Sequence, residues 1–187
     1  TAVVLFLGQR SVFNVDAAQR CNLINHMSAF ATTYAGETEK LNHAGLSSYS
    51  RVDDPAYLQI IASQLRWLRA NSLVSDIYTI RRSAEGKTLI VVDSETDYDN
   101  SGSIDQDREH RTEPGEEYSG FTAKDQAKAL SEALAGSPAF IADPYQDRWG
   151  RWVTALHPIH DANGNVEAVL GVDFPAVVWG QQIFNAR

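Results

Sequence analysis

The stretch PAFIADPYQDRWGRWVTALHPIHDANGNVEAVLGVDF, residues 138–174, decides the fold. It holds two apolar runs of strand character, Trp149–Ile159 and Val166–Phe174, separated by DANGN at 161–165. Asn163-Gly164 between two such runs is a strong signal for a two-residue hairpin turn. The chain therefore closes on a pair of antiparallel strands.

Working back from this hairpin, Gly136 and Pro138 stop a helix whose inner face is Ala127, Leu130 and Leu134. Thr122 with Asp125 three residues on predicts a capping box at its start. Further upstream, Val74–Arg82, the turn Ser83–Lys87 with Gly86, and Thr88–Val92 read as a second hairpin. Asp54-Pro55 opens a helix with Leu58, Ile61, Leu65 and Leu68 as its seam, and Asn71 closes it. From Ser11 to Leu41, the residues Phe13, Ala17, Ile24, Met27, Ala31, Tyr34 and Leu41 recur at helical steps and predict one long helix. The order is helix, helix, strand, strand, helix, strand, strand. Hairpins dominate, so an α+β domain with an antiparallel sheet is expected.

Composition narrows the function classes. The chain has 187 residues, of which 43% are apolar and 21% charged, ordinary globular values. Acids outnumber bases 24 to 16, a net charge of −8, which argues against a nucleic-acid partner. The one cysteine, Cys21, excludes a disulfide framework and a cysteine-rich zinc site, and reads as a small buried hydrophobe. Residues 1–8, TAVVLFLG, are too short to cross a bilayer; they read either as a buried start of structure or as the tail of a membrane span. No glycine-rich nucleotide loop, nucleophile elbow or zinc-protease helix occurs. His157 and His160 read as surface or core imidazoles, not as a metal pair.

The run PY-x-D, then WG-x-W-V, then P-I-x-D-x-x-G, then V-L-G-V-D resembles the Cache (PDC, extracellular PAS-like) sensor domains. IYTIRRSAEGKTLIVVD at 77–93 resembles the first strand pair of that fold, and the long first helix fits it as well. The resemblance implies one extracytoplasmic sensor domain over residues 1–187. In it, 1–10 is the remnant of a span, 11–45 the long helix and 74–174 the PAS-like sheet region. It further implies a small-molecule ligand, membrane spans outside this stretch, a periplasmic or extracellular location, and an output through a histidine kinase, diguanylate cyclase or chemotaxis transducer. The sensor domain itself is not expected to be catalytic.

In amino-acid-binding members of that family a Tyr and an Asp after the third helix, and an Asp on the last strand, hold the ligand's ammonium. Tyr145, Asp147 and Asp173 match those positions, with Tyr78, Trp149 and Tyr118 as further candidates and Arg82 as a weaker one. A cation leaving water needs carboxylates and aromatic faces in place of its hydration shell. The alternative reading makes Tyr145, Trp149 and Trp152 plain core, with Asp173 satisfied by an Arg or by backbone amides. The Arg-x-Trp-Tyr segment that grips a ligand carboxylate in those members is absent, for the corresponding stretch is EPGEEYSGF. An amine or an amino-acid-like ligand held differently is the expectation.

Residues 93–117 hold ten acids against Arg108 and Arg111. Within them DYDNSGSID resembles the start of a calcium loop: Asp97, Asp99, Ser101, Ser103 and Asp105 fall at alternate ligand positions and Gly102 supplies the turn. Arg108 stands where the closing bidentate acid belongs. Ca2+ or another divalent cation bound there, and a solvated acidic loop, are the two readings. Three functions thus stand side by side: a ligand sensor dimerising through its first helix along Ile24, Met27, Ala31 and Tyr34, a metal-dependent enzyme using the acidic loop 93–109, and a structural spacer.

Overall fold

The computed structural model describes residues 2–47, 49–94, 101, 109 and 112–185. Helix α1 runs Ala2–Lys40, a short 3-10 turn follows at His43–Gly45, and α2 spans Pro55–Ala70. Strands β1 (Asp76–Arg82) and β2 (Thr88–Asp93) precede α3 (Lys124–Leu134). Then come β3 (Ala139–Gln146), β4 (Arg151–His160), β5 (Val166–Pro175) and α4 (Ala176–Asn185). The five strands form one antiparallel sheet in the order β2-β1-β5-β4-β3.

Each face of the sheet buries a different set. On one face Met27, Ala31, Tyr34 and Ala35 of α1 pack against Ile77, Val153, Ala155, Leu170, Val172 and Phe174. On the other, Ala129, Leu130 and Ala133 of α3 pack against Tyr78, Ile80, Ile90, Tyr145, Trp152, Leu156 and Val169. The expected stripe of α1 is therefore covered by the chain's own sheet, and Met27, Ala31 and Tyr34 are not free to form a dimer seam. Ala17 and Cys21, expected within buried surface, are exposed. No described helix is long and apolar enough to cross a membrane; residues 2–10 continue into α1.

Most local signals act as their chemistry requires. The Asp54 carboxylate caps α2 by accepting from Ala56 N at 2.8 Å. The start of α3 lies one residue past the expected box: Gln126 Oε1 accepts from Ala123 N at 3.1 Å, and alanine has no side-chain oxygen to reciprocate. The β4–β5 turn also differs. Only Gly164 takes positive φ, and Asp161 N donates to Asn165 O at 2.9 Å. This is the three-residue hairpin closed by a left-handed glycine, not the two-residue form. Asp161 explains the choice, because its Oδ1 accepts from Asn163 N and Asn165 N and builds the longer turn.

Two elements were not expected as such. β3 is an edge strand broken by Pro144, with its register to β4 slipping between Ile141 and Tyr145. Proline and a bulge destroy the alternation by which a strand is read. The closing run AVVWGQQIFN is helical, with Trp179 packed on the α1 face.

Candidate functional site

β5 runs through the middle of the sheet, and its carboxylate Asp173 is 3% exposed. Asp76 of β1 stands opposite it on one side and Thr154 of β4 on the other. The Thr154 hydroxyl donates to Asp173 Oδ1 at 2.6 Å. With that proton committed, the Tyr145 hydroxyl at 2.8 Å donates to Thr154. The Tyr78 hydroxyl approaches the same Asp173 oxygen at 3.4 Å. Among the described residues, both side-chain donors thus approach Oδ1 and none approaches Oδ2.

Tyr78 reaches this position because its cross-strand partner is Gly171. A Cβ at residue 171 would lie 2.4 Å from the Tyr78 ring, so only glycine lets the ring cross β5.

Asp76, Asp93 and Asp173 face one narrow cavity with Tyr78, Tyr118 and Trp149. No lysine or arginine lines it among the described residues. The cavity measures about 10 Å³, room for one water molecule or one ammonium group. Burial, and after it the charge of Asp76, holds the protons of both Asp173 and Asp93 well above the usual carboxylate range. Thr112 and the charge of Arg148 counter this shift at Asp93. The Tyr78, Tyr118 and Tyr145 hydroxyls are likewise pushed up, first by burial and then by neighbouring acidic groups.

Tyr118, Asp147 and Trp149 also line an outer cavity of about 210 Å³ with Glu116, Glu117 and Arg148. They form the wall between the two spaces. Asp147 holds that wall: its Oδ1 accepts from Trp149 N at 2.9 Å, Gly150 N at 3.0 Å and Trp152 Nε1 at 2.9 Å. The Tyr118 hydroxyl approaches Asp147 Oδ2 at 3.4 Å. Arg148 lies over the Trp149 ring, 4.0 Å from its centroid, and its Nη2 pairs with Glu116 at 2.8 Å and approaches the Thr112 hydroxyl at 3.3 Å.

Five of the six expected pocket residues, Tyr78, Tyr118, Asp147, Trp149 and Asp173, thus border one cavity. Tyr145 acts from behind through Thr154. Arg82 does not line it; the residue is exposed at the far end of the first hairpin, opposite Thr88. Sequence reasoning missed Asp76, Asp93, Thr154 and Arg148. An acid inside each of VSDIY, IVVD and GVDF was the available signal. Of the expected ion loop, Asp97, Asp99, Ser103 and Asp105 lie outside the described residues, and Ser101 is exposed. No group of three metal-binding side chains occurs among the described residues. His160 Nδ1 pairs with Glu39 at 2.9 Å, and His157 Nδ1 lies 2.9 Å from Pro158 O, so the two histidines share nothing.

No protein-family model matches the chain, and no curated protein matches its sequence. Its fold has solved counterparts. The sensor domain of E. coli DcuS is similar over 89% of this chain and 98% of its own, with a TM-score of 0.55 at 17% identity. The ligand-binding domain of the Campylobacter jejuni chemoreceptor Tlp3, solved with L-valine, is similar over 98% of this chain at TM-score 0.52 and 16% identity. The same domain with isoleucine bound gives 0.50 at 15%. This chain spans 66% of the length of the Tlp3 structures. The Cache-like α+β fold expected from residues 138–174 is the fold observed.

Proposed function

We propose that this chain is the extracytoplasmic ligand-sensing part of a membrane signalling receptor, and that its pocket takes the ammonium group of a small molecule. The likeness in fold to the DcuS and Tlp3 sensor domains supports the class and a periplasmic or extracellular location. One observation carries the ligand chemistry: Asp173, almost fully buried, lines a cavity the size of an ammonium group, and among the described residues its side-chain donors approach Oδ1 and none approaches Oδ2. A primary ammonium brings three N–H donors and replaces the protons that Asp93 and Asp173 otherwise retain.

The rest of such a ligand lies past Tyr118 and Trp149 in the outer cavity. There Arg148 favours a ligand that also carries a carboxylate. The guanidinium is preorganised on Trp149, and among the described residues its polar contacts, to Glu116 and Thr112, are made through Nη2, so Nη1 and Nε are the nitrogens we assign to a ligand carboxylate. Arg148 would then do the work of the absent Arg-x-Trp-Tyr segment.

Calorimetric titration with matched pairs tests both parts: glycine with methylamine, valine with isobutylamine, γ-aminobutyrate with propylamine. Binding of amines that Asp173→Asn removes supports the pocket. A preference for the amino acids that Arg148→Gln removes supports the outer contact. No heat from any probe and no melting shift favours the spacer, and turnover with divalent metals favours the enzyme. The divalent-cation loop is a separate proposal resting on the spacing of 97–105. Calcium should protect that loop from proteolysis, and equal cleavage with and without it removes the idea.

A further inference from the structure

β2 changes its pattern between Ile90 and Asp93. Thr79 stands opposite Val92 and Ile80 opposite Ile90, so Val91 is one residue too many for β1. Ile90 belongs to the cluster on the pocket face, whereas Val91 and Val92 both join the cluster with Leu46, Tyr57 and Ile60. Asp93 then returns to the pocket face, opposite Tyr78. Side chains alternate along an unbroken strand, so without this bulge Asp93 would point away from the cavity.

The bulge is held from the other face. Val92 N donates to the Thr79 hydroxyl oxygen at 3.0 Å. The same oxygen lies 2.8 Å from Nε2 of His43, a residue with no exposed surface. His43 Nδ1 lies 2.5 Å from Glu167 Oε1. Burial raises the Glu167 pKa, but the hydrogen bond and charge of His43 and the charge of Arg81 outweigh it and leave the group ionised. An ionised Glu167 accepts from His43 Nδ1 and so fixes the ring, which keeps Nε2 on the Thr79 hydroxyl oxygen beside Val92 N. Arg81 completes the chain by donating Nη1 to Leu46 O at 2.8 Å.

We propose that His43 is a positioning residue for the pocket: through the Thr79 hydroxyl it fixes the bulge at Val91 and so aims the Asp93 carboxylate into the cavity. This rests on the reading of that cavity as an ammonium site. The side-chain hydrogen bonds of His43 go to Thr79 and Glu167, neither of which lines the cavity, so its effect on binding is assigned to β2.

Loss of a buried histidine also costs stability, so Thr79 is the better lever. The test titrates propylamine into the full chain and into the Thr79→Val, Thr79→Ser, Asp93→Asn and Asp173→Asn variants and the Thr79→Val/Asp93→Asn double variant, all well below their melting points. Thr79→Val should weaken binding about tenfold, a shift readily resolved by titration. Thr79→Ser, which keeps the hydroxyl, should restore it. The double variant should bind no more weakly than Asp93→Asn alone, because both changes remove the same contact. Wild-type affinity in a folded Thr79→Val, or losses that add in the double variant, overturns the proposal while a loss in Asp173→Asn keeps the pocket reading intact. Binding unaffected by both aspartate variants, or no binding to wild type, overturns the pocket reading and this proposal with it.

Discussion

Asp173 of β5 and Asp76 of β1 face each other across the central strand pair, and each is more than nine-tenths buried. Like charges so placed cannot both ionise cheaply. Burial and the Asp76 charge hold the Asp173 proton above the ordinary range. A carboxyl raised in this way contributes its full stability below its unfolded value, 3.8, and loses it as pH rises through the folded value. Asp173→Asn should therefore melt above wild type near pH 8, with the gap closing toward about pH 4. A gap that widens on acidification contradicts this assignment.

Gly171→Ala should be costly despite adding one methyl group. Its Cβ would meet the Tyr78 ring at 2.4 Å and drive it off Asp173. Overpacking of this kind costs about 1–3 kcal/mol. Chemical denaturation should show that loss, and ligand-induced stabilisation should vanish with it. A variant that unfolds like wild type would mean that Tyr78 moves freely.

Gln64 of α2 is fully buried, and among the described residues neither its Oε1 nor its Nε2 has a hydrogen-bond partner. An unsatisfied buried polar group costs about 1–3 kcal/mol. Gln64→Met keeps the length and removes the polar atoms, so it should raise Tm by about 2–4 °C for each kcal/mol gained. A lower Tm would show that the amide is satisfied in solution.

Asp147→Ala removes one acceptor that serves three donors on the wall between the cavities. The expected cost is about 1–3 kcal/mol for the donors left unmet. Tryptophan emission should shift to the red as Trp149 and Trp152 loosen. An unshifted spectrum would place the wall's rigidity elsewhere.

What the sequence made legible follows from its physics. Both hairpins were readable because β1, β4 and β5 are apolar runs bounded by Gly86 and Gly164, each of which takes the left-handed turn conformation. β3 was hidden by Pro144. Asp173 stood out because a lone acid inside VLGVDF is costly without a role. Asp93 was counted into the acidic run 93–117, and strict alternation along β2 would in any case carry it off the pocket face. Only the bulge at Val91, a product of the ladder with β1, brings it back. His43 lies in a short connection where no periodicity operates, and its partners Thr79 and Glu167 come from two different strands.

The most direct test of an ammonium site at Asp173 is a crystal structure with the tightest-binding amine of the titration series. The nitrogen should lie within about 2.7–3.2 Å of Asp173 Oδ2, with Tyr118 and Trp149 closed over the carbon chain. An amine found only in the outer cavity, with the inner space unchanged, would contradict it.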